Sequence, residues 1–323
     1  MKSIKLLSIT VALLGLTVAG SAQTLQEVTD ARNKGAELMA AGDYGGAITE
    51  LEKCVDIAKK AGAEADEHRI VAEGALPNLY LQKADKVDSK DYPAVLKALE
   101  EAKVAAEKYN NAEVKAKVDK AIPMVYLGMG SVDFQAKKFL EAIASLDQAT
   151  TLNPDMAKAY FIKGASYQSL KEDDKMIENY TFAIEKANAT GDAATAKSAT
   201  AQLNKFFFNN GITAMKVKKW DEAIAAFNKA VEVDPAYADA YYRATSCYNN
   251  KKDWNNAITN GEKALELRAG DDAKATDGIY YELGTAYAGK GDNGKACESF
   301  RKVVNEPFLK GAKYQIETAL KCK

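Results

Sequence analysis

The sequence predicts an all-α protein, and three observations carry that prediction. Only 6 of the 323 residues are proline, whereas Ala, Lys, Glu and Leu, which all favour helix, are abundant. No segment alternates β-branched and polar residues as a half-buried strand would. Apolar residues recur instead at spacings of three and four. In residues 218–235, for example, Trp220, Ala223, Ile224 and Phe227 fall on one face of a helix.

The first 22 residues form a separate segment. Lys2 and Lys5 precede an apolar run from Leu6 to Val18, and small residues follow up to Ala22. This order is typical of a secretory signal peptide, because the apolar run is shorter than the roughly 20 residues that a membrane-spanning helix needs. We expect cleavage after Ala22, export of the mature chain, and no integral membrane segment once the signal is removed.

The formal net charge is −1, and acidic and basic residues are mixed along the chain. A nucleic-acid-binding protein would instead carry a concentrated basic stripe or patch. The charge pattern therefore argues against nucleic acid as a partner.

A helix-turn-helix unit of 34 residues recurs along the rest of the chain. Position 8 of this unit is glycine in most copies, including Gly211 and Gly284, and position 20 is mostly alanine, including Ala223 and Ala296. Small side chains are expected at these positions because two antiparallel helices can cross at about 8–10 Å only where no bulky group separates them. The predicted units lie near residues 28–61, 76–108, 123–156, 157–190, 204–237, 238–271 and 277–310.

The segments between these units are predicted to extend helices, since residues 62–75, 109–122 and 191–203 are rich in Ala, Glu and Lys. A closing helix is predicted at residues 312–321, because the end of a helical array must be covered. Four aspartates directly precede second helices and are expected to accept hydrogen bonds from the first free N–H groups: Asp43, Asp91, Asp253 and Asp292.

The recurring pattern resembles the tetratricopeptide repeat family. In residues 204–237 the resemblance rests on Phe207, Gly211, Ala223, Phe227, Ala230 and Pro235. In residues 277–310 it rests on Tyr280, Leu283, Gly284, Tyr287, Ala296 and Phe300. The resemblance implies an α-α superhelix, or solenoid, of about seven repeats with a capping helix. It also implies a concave groove, lined by the first helix of each repeat, that holds a peptide or protein segment.

The family's groove-facing positions select the candidate ligand-binding residues of this chain. They are the aromatic Phe161, Phe208, Tyr242 and Tyr281 and the polar Lys158, Lys205, Arg243 and Asn249. Aromatic faces and amide or ammonium donors suit an extended peptide. The alternative interpretation is that the aromatic side chains pack against neighbouring repeats. Some family members clamp a C-terminal carboxylate, but Asp239 and Phe208 occupy positions where that clamp requires cations.

The sequence contains no pattern that indicates an enzyme. No nucleophile, phosphate-binding or metal-protease motif occurs, and His68 is the only histidine. We therefore expect neither a catalytic residue nor a metal or other cofactor. A helical enzyme acting on envelope polymers would need a clustered acid pair in a cleft, and the sequence does not indicate one.

Cysteine usage suggests one covalent link. Cys297 lies near the start of a predicted helix and Cys322 near the end of the next. If these helices are antiparallel about a turn near Pro307, the two side chains lie at similar heights and can form a disulfide in an exported protein. Cys54 is expected to be buried, and Cys247 has no evident partner.

Taken as a whole, these features predict a non-enzymatic scaffold that binds other proteins of a bacterial cell envelope, in the periplasm of a double-membraned bacterium. The alternative is an envelope glycan-binding protein, because stacked aromatic side chains also suit sugar rings. That alternative ranks lower, since Trp220 and Trp254 are the only tryptophans and both are expected to pack near turns.

Overall fold

The computed structural model describes the backbone of residues 3–323 and the side chains of residues 22–323. Most of the predicted signal segment, residues 1–22, therefore lies outside the described side chains. Over the described range the fold is all-α, as predicted. The helices are α1 Ser3–Ala40, α2 Tyr44–Ala61, α3 Asp66–Ala84, α4 Tyr92–Lys108, α5 Ala112–Gln135, α6 Phe139–Leu152, α7 Ala157–Leu170, α8 Asp173–Thr190, α9 Ala193–Lys216, α10 Trp220–Val233, α11 Ala238–Asn250, α12 Trp254–Leu267, α13 Ala273–Lys290, α14 Asn293–Arg301 and α15 Leu309–Tyr314.

The chain divides into two compact units. The first ends at Lys171 and contains α1–α7, and the second, Glu172–Lys323, contains α8–α15. Within each unit, successive helices pack on one another as hairpins. First helices of neighbouring hairpins also touch, as α3 and α5 do in the first unit and α11 and α13 in the second. Each unit is therefore a stack of helical hairpins, the arrangement that buries the amphipathic faces seen in the sequence.

Glycine and alanine lie where helices of one hairpin meet. A Cβ atom at Gly211 would lie 2.5 Å from Cε1 of Phe227, and one at Gly284 would lie 2.7 Å from Cε1 of Phe300. The rings of Phe227 and Phe300 are fully buried. Ala223 and Ala296 are 0% exposed. Larger side chains in these positions would therefore collide with rings that have little space to move.

The predicted aspartate caps are confirmed. Asp43, Asp91, Asp253 and Asp292 each accept a hydrogen bond from the main-chain N–H three residues later. The predicted extension segments 109–122 and 191–203 belong largely to α5 and α9, which begin after the caps Asn111 and Asp192. The segment 62–75 differs, because a short 3-10 turn, Ala63–Ala65, precedes α3.

Most turns inside the hairpins contain one residue with a left-handed backbone conformation. Glycine adopts it at Gly42 and Gly291, with φ of 79° and 89°. Lysine adopts it at the equivalent place in three other hairpins, at Lys137, Lys218 and Lys252, and Lys171 adopts it at the end of α7, with φ of 60° or 61°. This conformation is unfavourable for a residue with a Cβ atom.

The end of the chain differs from the predicted helix at 312–321. Helix α15 spans Leu309–Tyr314 and continues as a π-helical turn, Gln315–Ala319. The helix stops there, where Lys321 takes a φ of 48° and the N–H of Cys322 bonds to the carbonyl of Ile316 at 2.8 Å. In this structure a disulfide joins Cys322 to Cys297, with their Cα atoms 5.8 Å apart.

Among the described residues, no helix combines the length and apolar character that a bilayer-spanning segment requires.

Candidate functional site

The predicted ligand-binding residues lie on four first helices. Lys158 is exposed and Phe161 half-buried on α7, in the first unit. The other six lie on α9, α11 and α13, in the second unit. The second unit therefore carries most of the candidate site.

Phe208 on α9 packs partly against its neighbours. Its ring centroid lies 5.6 Å from that of Phe227 in the same hairpin and 5.6 Å from that of Tyr237, which precedes α11. These distances are in the range of favourable aromatic pairs. Phe208 nevertheless remains half-buried, so part of its ring stays accessible. Lys205, one turn earlier, is exposed and makes no ion pair within the described part of the chain.

Tyr242 and Arg243 form a pair on α11. The Arg243 guanidinium lies 4.7 Å from the centre of the Tyr242 ring, a cation–π contact. The Tyr242 hydroxyl lies over Gly278, where a Cβ atom would be 2.5 Å from it. Burial raises the pKa of Tyr242, and the neighbouring Glu282 and Asp239 raise it while Arg243 lowers it. The phenol is therefore neutral at physiological pH and can donate a hydrogen bond.

Tyr281 on α13 is largely covered by the chain's own C-terminal segment. Its ring lies 5.6 Å from that of Phe300 and 5.7 Å from that of Phe308, and a Cβ atom at Gly311 would lie 2.9 Å from it. Tyr242 and Phe208 reach toward the following hairpin in the same way. In the second unit, part of each of these aromatic side chains therefore packs against a neighbouring segment. This is the alternative interpretation of the aromatic positions.

Asn249 is a correction to the predicted site. Its side chain is 7% exposed, and its amide donates to the main-chain carbonyl of Glu282 at 2.9 Å and to Glu282 Oε2 at 2.7 Å. Because both amide N–H groups bind α13, Asn249 joins α11 to α13 and has no donor left for a ligand.

A cavity of about 610 Å³ lies among α8, α9 and the end of α10. Lys205 and Phe208 line it, and so do Lys197, Asn204 and Tyr237. Burial is the largest cause of a raised pKa at Tyr237, with Asp239 and Asp234 contributing. The cavity therefore combines two ammonium groups, a neutral phenol and aromatic surface in one concave place, which is typical of ligand sites.

Asn204 has an unusual environment in this cavity. The residue is 7% exposed, and its amide Nδ2 donates to Asp234 Oδ2 at 3.2 Å. Its carbonyl Oδ1 is buried and, like that of Asn249, has no hydrogen-bond partner among the described residues. An unpaired buried acceptor costs about 1–3 kcal/mol, so such groups are uncommon in folded proteins.

Sequence reasoning identified two of these cavity residues and missed three. Lys205 and Phe208 occupy the family's groove positions, whereas Lys197 and Asn204 were not selected. Lys197, Asn204 and Phe208 lie on one face of α9, because their spacing of seven and four residues matches the helical repeat. This spacing is visible in the sequence and could have identified Lys197 and Asn204. Tyr237 follows a turn, where helical spacing gives no information.

The structure also places one of the two tryptophans that were expected to pack near turns. Trp254 packs over Gly289, where a Cβ atom would lie 2.7 Å from the indole, so this side chain has a packing role. Within residues 22–323, no group of three or more His, Cys, Asp or Glu side chains is arranged to hold a metal ion.

Comparisons with known proteins give consistent matches. A family described as "TPR repeat" matches residues 216–244, and one described as "Tetratricopeptide repeat" matches residues 278–306. The Hsp70-Hsp90 organising protein of Plasmodium falciparum (isolate 3D7) is 29% identical over 105 residues, which are 32% of this chain and 18% of that protein. DnaJ homolog subfamily C member 7 of Homo sapiens is 29% identical over 132 residues, 39% of this chain and 26% of that protein.

The chain thus matches about a fifth to a quarter of the length of these curated relatives. Among solved structures, the Arabidopsis OM64 TPR domain is 24% identical, with 38% of this chain and 97% of that chain covered and a TM-score of 0.34. The first family match runs from the end of α9 to α11, and the second covers most of α13 and α14. Two family matches on separate hairpins, together with the recurring 34-residue helical unit, show that this chain contains tetratricopeptide repeats.

Proposed function

We propose that this protein is a non-enzymatic scaffold of the bacterial cell envelope that binds an extended segment of a partner protein. Binding takes place on the first helices of the second unit, α9 and α11. The observation that carries the proposal concerns two cations. Arg243 lies over the Tyr242 ring, Lys205 lines the same cavity as Phe208, and neither makes an ion pair among the described residues.

Physical chemistry favours a peptide on this surface. The exposed parts of Phe208 and Tyr242 offer flat apolar contact, and the neutral Tyr242 phenol and two cationic groups offer hydrogen-bond donors. An extended peptide has both apolar side chains and unpaired carbonyl oxygens, and therefore uses both kinds of contact.

The relatives support the coarse function. One is named as an organising protein of Hsp70 and Hsp90. Tetratricopeptide repeats generally serve as protein-interaction modules without catalytic residues, so a scaffold is the function that the family favours.

Site-specific photo-crosslinking tests the binding surface. A photoreactive amino acid is placed at Lys205, and a matched control carries it at Asn255, an exposed residue of the second helix α12. We expect a partner protein to be captured in living cells from Lys205 and about tenfold less from Asn255. Adding Arg243→Gln should reduce the capture, whereas Lys216→Gln, an exposed change at the far end of α9, should not.

Equal capture from both positions would show that the surface is wrong. No capture from either position, with the folded protein present at its normal level, would contradict the scaffold function itself.

The proposed envelope location has its own test. Export through the predicted signal should leave Gln23 as the first residue of the protein in the envelope fraction. N-terminal sequencing or intact mass measures this directly. Protein that retains residues 1–22 and stays in the cytoplasm would contradict the location.

A further inference from the structure

We propose that the second unit also binds a second copy of this chain, edge to edge. Its two edges are formed by two kinds of turn. The hairpin edge contains the turns inside the hairpins, and the inter-hairpin edge contains the turns that join one hairpin to the next. In the proposed contact, the basic hairpin edge of one copy meets the acidic inter-hairpin edge of the other. The inference goes beyond the proposed function and uses none of its binding residues.

The two edges lie at opposite ends of the helices. Each helix from α9 to α14 packs on the helix before it, so the chain reverses direction at every turn. The turns α9–α10, α11–α12 and α13–α14 therefore form the hairpin edge. The turns α8–α9, α10–α11 and α12–α13 form the inter-hairpin edge. Helices α10 and α12 have 14 residues each, so the two edges are about 20 Å apart.

The two edges carry opposite charge. With four helical residues on either side, the turns of the hairpin edge comprise residues 213–223, 247–257 and 287–296. They contain seven lysines and four acidic residues, a net formal charge of +3. The matching segments of the inter-hairpin edge are residues 187–196, 230–241 and 264–276. They contain two basic and seven acidic residues, a net formal charge of −5. The turn into α15, residues 298–312, adds only one positive charge to this edge and leaves it acidic.

Helix ends do not account for this difference. Over these six turns, each edge has three helix N-termini and three C-termini, so the helix dipoles act equally on both. Each edge also has two aspartate N-caps, Asp253 and Asp292 on the hairpin edge and Asp192 and Asp272 on the other. The separation of charge is therefore independent of capping, and each edge complements the other.

Charged groups at both edges are accessible to a partner. Glu232 is exposed and makes no ion pair within the described part of the chain. Glu266 and Asp271 pair only with residues three positions away, and their side chains remain 68% and 47% exposed, where such pairs are weak. Three lysines of the hairpin edge, one in or beside each turn, are exposed and make no ion pair among the described residues: Lys218, Lys252 and Lys290.

Both edges also offer a small apolar contact. Val217, in the turn between α9 and α10, is 64% exposed. Pro235 and Ala236, in the turn between α10 and α11, are exposed beside Asp234. A protein surface would remove these apolar groups from water, whereas a purely anionic polymer would leave Val217 solvated. A protein partner with an acidic edge fits best, and this chain carries such an edge itself.

The proposed contact is heterologous, because the two edges that meet are different surfaces. A heterologous contact joins copies head to tail and leaves one edge of each kind free at the ends of the row. Further copies can therefore add, and the assembly should grow with protein concentration beyond a dimer.

Sedimentation velocity of the purified protein tests the proposal. The average mass should rise with concentration at about 0.02 M salt and return to that of the monomer at about 0.5 M salt, where the charges are screened. A wild-type protein that stays monomeric at low salt would overturn the inference. Binding of that monomer to phosphatidylglycerol vesicles would then assign the basic edge to an anionic lipid surface.

Charge reversal tests the two edges separately. One variant reverses the hairpin edge by Lys218→Glu, Lys252→Glu and Lys290→Glu, and glutamate keeps the Cβ atom that the left-handed turns already accommodate. The other reverses the inter-hairpin edge by Glu232→Lys, Glu266→Lys and Asp271→Lys. Each variant has two edges of like charge, so its self-association should weaken at least about tenfold. A mixture of the two variants should associate, and so should one chain with all six changes.

A control variant separates edge charge from total charge. Lys53→Glu, Lys97→Glu and Lys120→Glu change the total charge as much as the hairpin-edge variant does, at exposed positions within helices of the first unit. With folding checked by circular dichroism, this control should associate like the wild type. An equal loss in the control, or no recovery in the mixture, would overturn the edge contact. Partner capture from Lys205 is measured separately, so either result leaves the scaffold function to its own test.

Discussion

Asp277 accepts a 2.7 Å hydrogen bond from the main-chain N–H of Asn305, and its other oxygen accepts one from Val304. The carboxylate is 2% exposed and ties the segment after α14 to the start of α13. Asp277→Ala should lower the free energy of unfolding by about 3 kcal/mol, because it removes two hydrogen bonds from main-chain N–H groups to a buried carboxylate. Urea denaturation measures this. Asp272→Ala removes an exposed N-cap on the same helix and should cost only about 1 kcal/mol; similar losses for both variants would contradict the assigned role.

Gly211 and Gly74 should respond oppositely to alanine. The Cβ atom of Gly211→Ala would lie 2.5 Å from the buried Phe227 ring, so we expect destabilisation of about 1–3 kcal/mol. Gly74, inside α3, has no atom within 4 Å of the added Cβ, and Gly74→Ala should stabilise by about 0.5–1 kcal/mol. Thermal unfolding of both variants checks the contrast. A stabilised Gly211→Ala would show that the two helices of this hairpin are farther apart than described.

The disulfide between Cys297 and Cys322 encloses a loop with a sequence separation of 25 residues. A link of this span stabilises a folded chain by about 3 kcal/mol. Reductant should therefore lower the melting temperature of the wild type and have no effect on Cys322→Ser. Mass spectrometry of peptides from non-reduced protein should show the two cysteines linked, and a free Cys322 in exported protein would contradict the pairing.

Cys247 should be unreactive in the folded protein. Its side chain is 0% exposed, and burial, assisted by Glu282 and opposed by Arg243, raises its pKa to about 12. The thiol thus stays protonated at pH 8.5, where iodoacetamide needs the thiolate. Labelling should be slow in native protein and fast in urea. Rapid native labelling at Cys247 would contradict its burial.

The same raised pKa makes stability depend on pH. The folded pKa lies above the unfolded value, so the folded state holds the proton more tightly. The stabilisation is present below about pH 8.5 and is lost as pH rises toward 12. Cys247→Ala should show a smaller loss of stability between pH 9 and pH 11 than the wild type.

Much of the fold could be predicted because local chemistry specifies it. Small residues such as Gly211 and Ala223 occupy the same two positions in most repeats, because two helices can approach closely only there. A single sequence is enough to show this pattern. Asp43 and Asp292 could be assigned as caps for a similar reason, since a cap acts on residues only three positions away.

The site was harder to predict because it depends on distant residues. Asn249 has an amide side chain of the kind that often binds ligands, yet both of its side-chain N–H groups donate to Glu282 on α13. The amide of Asn204 is held in place because α10 ends beside it, where the C-cap Asp234 accepts its hydrogen bond. Neither relationship follows from helical spacing, because each is set by contacts about 30 residues away along the chain.

The four lysines with left-handed backbone at turns between helices imply that glycine substitutions there can raise the stability of the protein. Each accepts a conformation costing roughly 1 kcal/mol that glycine, as at Gly42 and Gly291, would adopt freely. The four turns are distant from one another in sequence, so glycine substitutions there should contribute nearly independently. An engineer seeking a more heat-resistant peptide-binding scaffold could thus begin at Lys137, Lys218 and Lys252 and leave every ligand-facing side chain untouched.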